Sequence, residues 1–135
     1  MDVLLISYTM GAAISIGLAA TGAGLGIGYT GAKACEAIAK QPSAASDILK
    51  IMLISQAVTE SSAIFALVVS LLLIFTYPGT ATMPTFVAFI ASGICMGAGA
   101  IGPGFGAGYV GAKACEGVGR IPQKQTNLLV NMLIG

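Results

Sequence analysis

The chain has 135 residues, of which 56% are hydrophobic types and only 11 are charged, with a formal net charge of +1. Soluble domains average about a quarter charged residues, so this is the composition of a membrane protein. With no basic cluster and no Trp it has no means of displacing counterions from nucleic acid, and that class of partner is excluded.

A first helix is expected over Val3 to Ala39. It carries no charge between Asp2 and Lys33, a gap long enough for the roughly 20 apolar residues that cross a bilayer. A signal peptide would begin with a basic segment and stop sooner, so this helix belongs to the mature protein. A short polar connection, Lys40-Gln41-Pro42-Ser43, leads into a second helix from Ala45 to Tyr77, closed by the turn residues Pro78-Gly79. The third helix is expected over Pro84 to Gly119, followed by Arg120-Ile121-Pro122-Gln123. The fourth, from Thr126 to Gly135, covers only about 15 Å at 1.5 Å per residue. That is half a span, and it is read as truncated.

The chain repeats itself with an offset of eighty. Gly22 to Glu36 reads GAGLGIGYTGAKACE and Gly102 to Glu116 reads GPGFGAGYVGAKACE. Two copies of one helical hairpin, 1–79 and 80–135, are therefore expected. All six basic residues (Lys33, Lys40, Lys50, Lys113, Arg120, Lys124) lie in or beside the two polar connections, so both connections are expected on the cytoplasmic side. The hairpins then point the same way, unlike the inverted repeats of many transporters. Cys35, Cys95 and Cys115 have neither zinc-ligand spacing nor an even number for disulfides, and are read as small packing residues in or near helices. No metal or cofactor motif stands out.

Glycines fall at Gly22, Gly24, Gly26 and Gly28, and again at Gly102, Gly104, Gly106 and Gly108. At 100° per residue the first and third of each set share one side of a helix, and the second and fourth lie nearly opposite. Each pair is a GxxxG, which lets backbones approach in lipid. Two opposed faces suggest a helix flanked on both sides by copies of itself, an arrangement that closes into a ring. The same stretches match GxGxxG, but that fingerprint works only between a strand and a helix, and here it lies inside an apolar span, so nucleotide binding is set aside.

Between Lys50 and Lys113 the one charged residue is Glu60, in Gln56-Ala57-Val58-Thr59-Glu60-Ser61-Ser62. It is expected about 15 Å from the basic end of its helix and 27 Å from the far turn. An acidic side chain at that depth costs about 2.5 to 3.5 kcal/mol, so it is held neutral, binds a cation or is paired. Low dielectric favours the protonated form. Glu60 and Gly24 lie equally far from Pro42, which places them at one depth, with room beside the carboxyl for a neighbour or an ion.

A glycine-repeat helix, a loop of the form Ala39-Lys40-Gln41-Pro42, and a second helix bearing Glu60 followed by Ser61 and an apolar run from Ile64 to Leu73 together resemble the rotor-ring c subunit of F-type ATP synthases. The doubled hairpin is also similar to the V-type proteolipid, although that protein usually carries its carboxylate on the fourth helix. The resemblance implies a homo-oligomeric ring turning in the bilayer against a stator subunit that bears an intramembrane arginine. Glu60 would carry the ion, while Lys40, Gln41, Pro42, Arg120 and Gln123 would meet the central stalk. ATP chemistry would occur elsewhere in the complex, leaving this chain without a catalytic site. Sodium-type members add a first-helix Gln, a backbone carbonyl, a Ser and a Tyr around the carboxylate. Gln56, Val58 and Ser61 match those members, but Ile27, Ala107 and Phe65 stand where the Gln and Tyr would be, so the resemblance implies protons ahead of Na+. A channel or transporter of parallel hairpins is the alternative, for which few polar residues beyond Gln56, Thr59, Ser61 and Ser62 are present. A purely structural oligomer would leave Glu60 unexplained. The position equivalent to Glu60 in the second unit is 140, beyond the sequence given.

Overall fold

A computed structural model describes residues 2–76 and 82–135, with side chains from Leu5 onward. The Pro78-Gly79 turn, and with it the 79/80 boundary, lies outside the described residues, as does Tyr77. Four helices follow one another: α1 (Asp2–Lys40), α2 (Ala45–Phe75), α3 (Met83–Arg120) and α4 (Gln125–Ile134). The first three are long and apolar enough to cross a membrane, and no strand occurs among the described residues. The chain is thus the all-α membrane protein expected from its composition.

The helix ends have local causes. A residue before proline is pushed out of the α region, and both Gln41 (φ −137°, ψ 75°) and Ile121 (φ −137°, ψ 81°) leave the helix there. Pro42 and Pro122 then each open a 3-10 turn, Pro42–Ala44 and Pro122–Lys124. The two connections therefore share one backbone path, as their repeated sequence implies. At the start of α3 the Thr85 hydroxyl accepts from the Thr82 backbone N–H at 3.1 Å, with Pro84 in the first turn, where its missing N–H costs no helical bond. Pro103 stands inside α3 and deprives the Gly99 carbonyl of its usual donor four residues on.

α1 and α3 pack along their length, with Gly22 against the Ile101 backbone, Gly26 against Gly104, and Gly108 against Gly26. A Cβ on Gly22 would stand only 2.5 Å from the Ile101 Cα, so close approach of two backbones requires glycine there. α2 lies over the seam between them. Thr59 and Ser62 abut Gly26 and Gly104 in turn. The Ser70 hydroxyl donates to the Ala12 carbonyl at 2.9 Å, and that of Ser15 to the Ala66 carbonyl at 3.2 Å. Thr30 donates across the seam to the Gly108 carbonyl at 2.7 Å and back to Gly26 at 3.0 Å. Nearer the connections, Ala34, Ala37, Ile48, Ile51, Cys115, Val118 and Met132 form the largest apolar cluster. There α4 joins the bundle, with Leu128 against Gly117. All three cysteines are helical, but only Cys115 packs in the interior, while Cys35 and Cys95 are exposed.

Candidate functional site

α2 buries Ile48, Ile51, Ser55, Thr59, Ala66, Ser70 and Leu73, a row at helical spacing that faces the α1/α3 seam. Glu60 lies roughly a third of a turn round from that row and is exposed. It is the sixteenth of 31 residues in α2, about 22 Å from either end, and the apolar run on each side keeps every other charge far from it. Among the described residues it makes no hydrogen bond or ion pair. Its level is fixed by its neighbour: a Cβ on Gly26 would stand 3.0 Å from the Thr59 methyl, so the carboxyl sits within a turn of the Gly24 to Gly26 stretch.

The other oxygens near it divide between the two flanks of α2. Gln56, one turn earlier on the same side as Glu60, places its Nε2 3.8 Å from a Cβ on Gly31 of α1. Ser61 donates to the Val58 carbonyl at 2.6 Å, and Ser62 to the Thr59 carbonyl at 3.0 Å. Ser61, Ser62 and Phe65 face α3, where with Cys95, Met96, Gly99, Ala100 and Pro103 they line an open groove of about 450 Å³. The fold therefore brings Val58 and Ser61 together but sets the Glu60 carboxyl on the opposite, α1 flank, bonded to neither.

The eight glycines separate into two sets. Gly22, Gly26, Gly104 and Gly108 are consumed in the α1/α3 contact, whereas a Cβ on Gly24, Gly28, Gly102 or Gly106 would meet nothing within 4 Å. α1 thus spends its first and third glycines on α3, and α3 spends its second and fourth on α1. α2 presents the reverse character to its surroundings, with Leu53, Ile64, Phe65, Leu67, Val68, Leu71, Leu72 and Phe75 exposed.

At the other end the two connections lie side by side. Glu36, Lys40, Gln41, Glu116 and Arg120 line a cleft of about 120 Å³ between them, with Pro42 and Gln123 exposed beside it. Lys33 reaches both Glu36 (2.8 Å) and, across the seam, Glu116 (3.6 Å), and Lys113 pairs with Glu116 at 3.1 Å. The Tyr29 and Tyr109 rings stack at 5.8 Å between centroids. Neither the inter-repeat ion pair nor the ring stack is foreseeable from the sequence pattern, although the AKACE repeat places a lysine and a glutamate at corresponding points of both helices.

Known proteins are similar to this chain in sequence. The profile of the ATP synthase c-subunit family matches residues 10–73 and 90–135, one match in each repeat. Several proteins bearing the name of that ATP synthase component are similar to this chain: that of Bacteroides thetaiotaomicron is 54% identical over 66 residues, 49% of this chain and 78% of that protein. The corresponding protein of Natranaerobius thermophilus is 40% identical over 77 residues, 57% of this chain and 88% of its own length. That of Gloeobacter violaceus is 42% identical over 77 residues, 57% of this chain and 94% of its own.

Proposed function

The chain belongs to the ATP synthase c-subunit family, as a duplicated form of that non-catalytic membrane component, and on that premise we propose that it forms a rotor ring whose ion rides on Glu60. The observation that carries this reading is the position of Glu60, at the midpoint of an apolar helix, exposed on the protomer surface and without a hydrogen-bond or ion-pair partner among the described residues. Neutral, the side chain passes lipid at modest cost; charged, it requires a counter-charge or an ion at once. Alternation between these states is what coupling of ion flow to rotation demands. A stator subunit bearing an arginine would supply that counter-charge and discharge the ion, and Glu60 would take up another before re-entering lipid.

Protons are the proposed cargo. A protonated carboxyl needs one acceptor for its O–H, and a neighbouring helix can offer one as Val58 and Ser61 do on the α3 flank of α2. Sodium would need more oxygens, and Ile27, Ala107 and Phe65 supply none from their side chains. Gln56, one turn before Glu60 on the same flank and beside Gly31 of α1, is the remaining side-chain oxygen within reach of an ion at Glu60.

Ring closure follows from the unequal use of the glycines. One face of α1 meets the opposite face of α3, so the contact is head-to-tail, the kind that builds a ring when the rotation per copy closes. The exposed large apolar residues of α2 would then face lipid and the glycine helices would form the inner layer. Lys40, Gln41, Pro42, Arg120 and Gln123, gathered at one end, would receive the central stalk on the cytoplasmic side, which the basic residues favour.

Dicyclohexylcarbodiimide tests the ion site, since it modifies protonated carboxyls in apolar surroundings. Labelling is expected at Glu60, with loss of ATP-driven transport. Modification confined to Glu36 or Glu116 would refute the site, and protection by sodium near neutral pH would replace protons with sodium as the cargo.

A further inference from the structure

The α1/α3 seam inside one chain is a template for the seam between chains, because α3 repeats α1. Shifting each partner by one repeat converts Gly22 and Gly26 on Gly104 and Gly108 into Gly102 and Gly106 of one copy on Gly24 and Gly28 of the next. Of the eight repeat glycines, those four are the ones left open. Charge follows the same rule. Lys33 reaches across the internal seam to Glu116; one repeat on, the corresponding pair is Lys113 of one copy and Glu36 of the next. Exposure marks which of these bridges is already made: the Lys33 and Glu116 side chains are each 24% exposed, whereas Lys113 is 51% and Glu36 50% exposed. Lys113 lies on the same side of α3 as Gly102 and Gly106, and Glu36 sits on α1 beyond Gly28. Lys113 is thus on the side of the protomer that a second copy would cover, and Glu36, which also lines the cleft beside Glu116, keeps half of its side chain exposed.

We infer that neighbouring copies are joined by a Lys113–Glu36 ion pair, and that this seam is chemically unequal to the one within the chain. The pair rests on the ring reading and adds to it the side chains that close each intermolecular contact. Three substitutions between the repeats make the outer seam the weaker. The Thr30 hydroxyl that crosses the internal seam to Gly108 has Val110 as its counterpart, so no bond crosses to Gly28 of the next copy. Gly11, which packs against the Phe89 and Gly93 backbones, has Ala91 as its counterpart, and Gly93 has Ala13. Methyl groups stand there in place of the backbone contact. A ring built from this chain therefore has alternating tight and loose seams, with a lysine–glutamate pair at each but the hydroxyl bond of Thr30 at the inner one alone.

A water-soluble carbodiimide tests this on the wild-type ring, because it joins a lysine to a carboxylate only when the two are in contact. The native mass of the detergent-solubilised assembly is measured first, and treated protein is then separated under denaturing conditions and digested. The expected result is a ladder of covalent multimers containing the Lys113–Glu36 isopeptide, with Lys33–Glu116 isopeptide found inside single chains. Lys113→Arg keeps the charge but removes the amine, so the ring should keep its mass while the multimer ladder falls at least ten-fold. An intact ring that yields only single chains, or a ladder undiminished by Lys113→Arg, would overturn the pairing. Absence of any ring in the native mass would overturn the ring reading itself, and the pairing with it.

Discussion

A single methyl group, added at Gly22 or at Gly24, separates the contacts that fold one copy from those that join copies. At Gly22 the new carbon would stand 2.5 Å from the Ile101 Cα and 2.8 Å from its carbonyl oxygen. Carbon atoms rest at about 3.5 to 4.0 Å, so α1 and α3 must part by roughly 1 Å or more, with loss of the Thr30 bond to Gly108. Over-packing of this kind costs about 1 to 3 kcal/mol, or a shift of about 5- to 150-fold in the equilibrium that docks the two helices. At Gly24 the same methyl meets nothing within 4 Å, and alanine is the better helix former by about 1 kcal/mol, so the isolated protomer loses no stability. SDS titration of the monomer, followed through the near-ultraviolet signal of the stacked Tyr29 and Tyr109 rings, reads the difference. Gly22→Ala should move the midpoint to lower SDS and Gly24→Ala should not. Equal midpoints for the two variants would refute the assignment of glycine faces.

Gly24→Leu extends the same logic to assembly: the protomer should fold as a monomer and fail to give the large oligomer in a native mass measurement. Thr30→Val removes the hydroxyl that crosses the internal seam and should lower monomer stability by about 0.6 kcal/mol, the average for such bonds in membrane proteins, in the same titration. Val110→Thr supplies the missing hydroxyl at the seam between copies and should raise the SDS concentration needed to dissociate the ring.

Helix positions are legible in the sequence because proline and the apolar runs mark them. Pro42 and Pro122 force Gln41 and Ile121 out of helical geometry, and α1, α3 and α4 begin and end within one residue of their expected bounds. The level of Glu60 is also legible from counting residues about Pro42, since Thr59 lies beside Gly26. Its direction is not. α2 is apolar on every side, so no stripe in its sequence distinguishes the face on the α1/α3 seam from the face turned outward. The small polar residues decide it, with Ser55, Thr59 and Ser70 fitting against glycine or a neighbouring backbone. Nor can the sequence tell which GxxxG face is used inside the chain, since Gly22/Gly26 and Gly24/Gly28 are equivalent as patterns. That choice is made by the α3 partner, whose Gly104 and Gly108 fill one of them and leave the other open.

The central claim, that ionisation of Glu60 couples ion flow to ATP, is tested most directly by ATP-driven ion uptake in vesicles whose complexes contain only Glu60→Gln protomers. Glutamine keeps the size and hydrogen-bonding capacity of the neutral acid but cannot ionise. The ring should assemble with unchanged native mass, because Glu60 has no hydrogen bond or ion pair among the described residues and glutamine keeps its shape, and uptake of both protons and sodium should be abolished. Uptake at the wild-type rate from such vesicles would contradict the account.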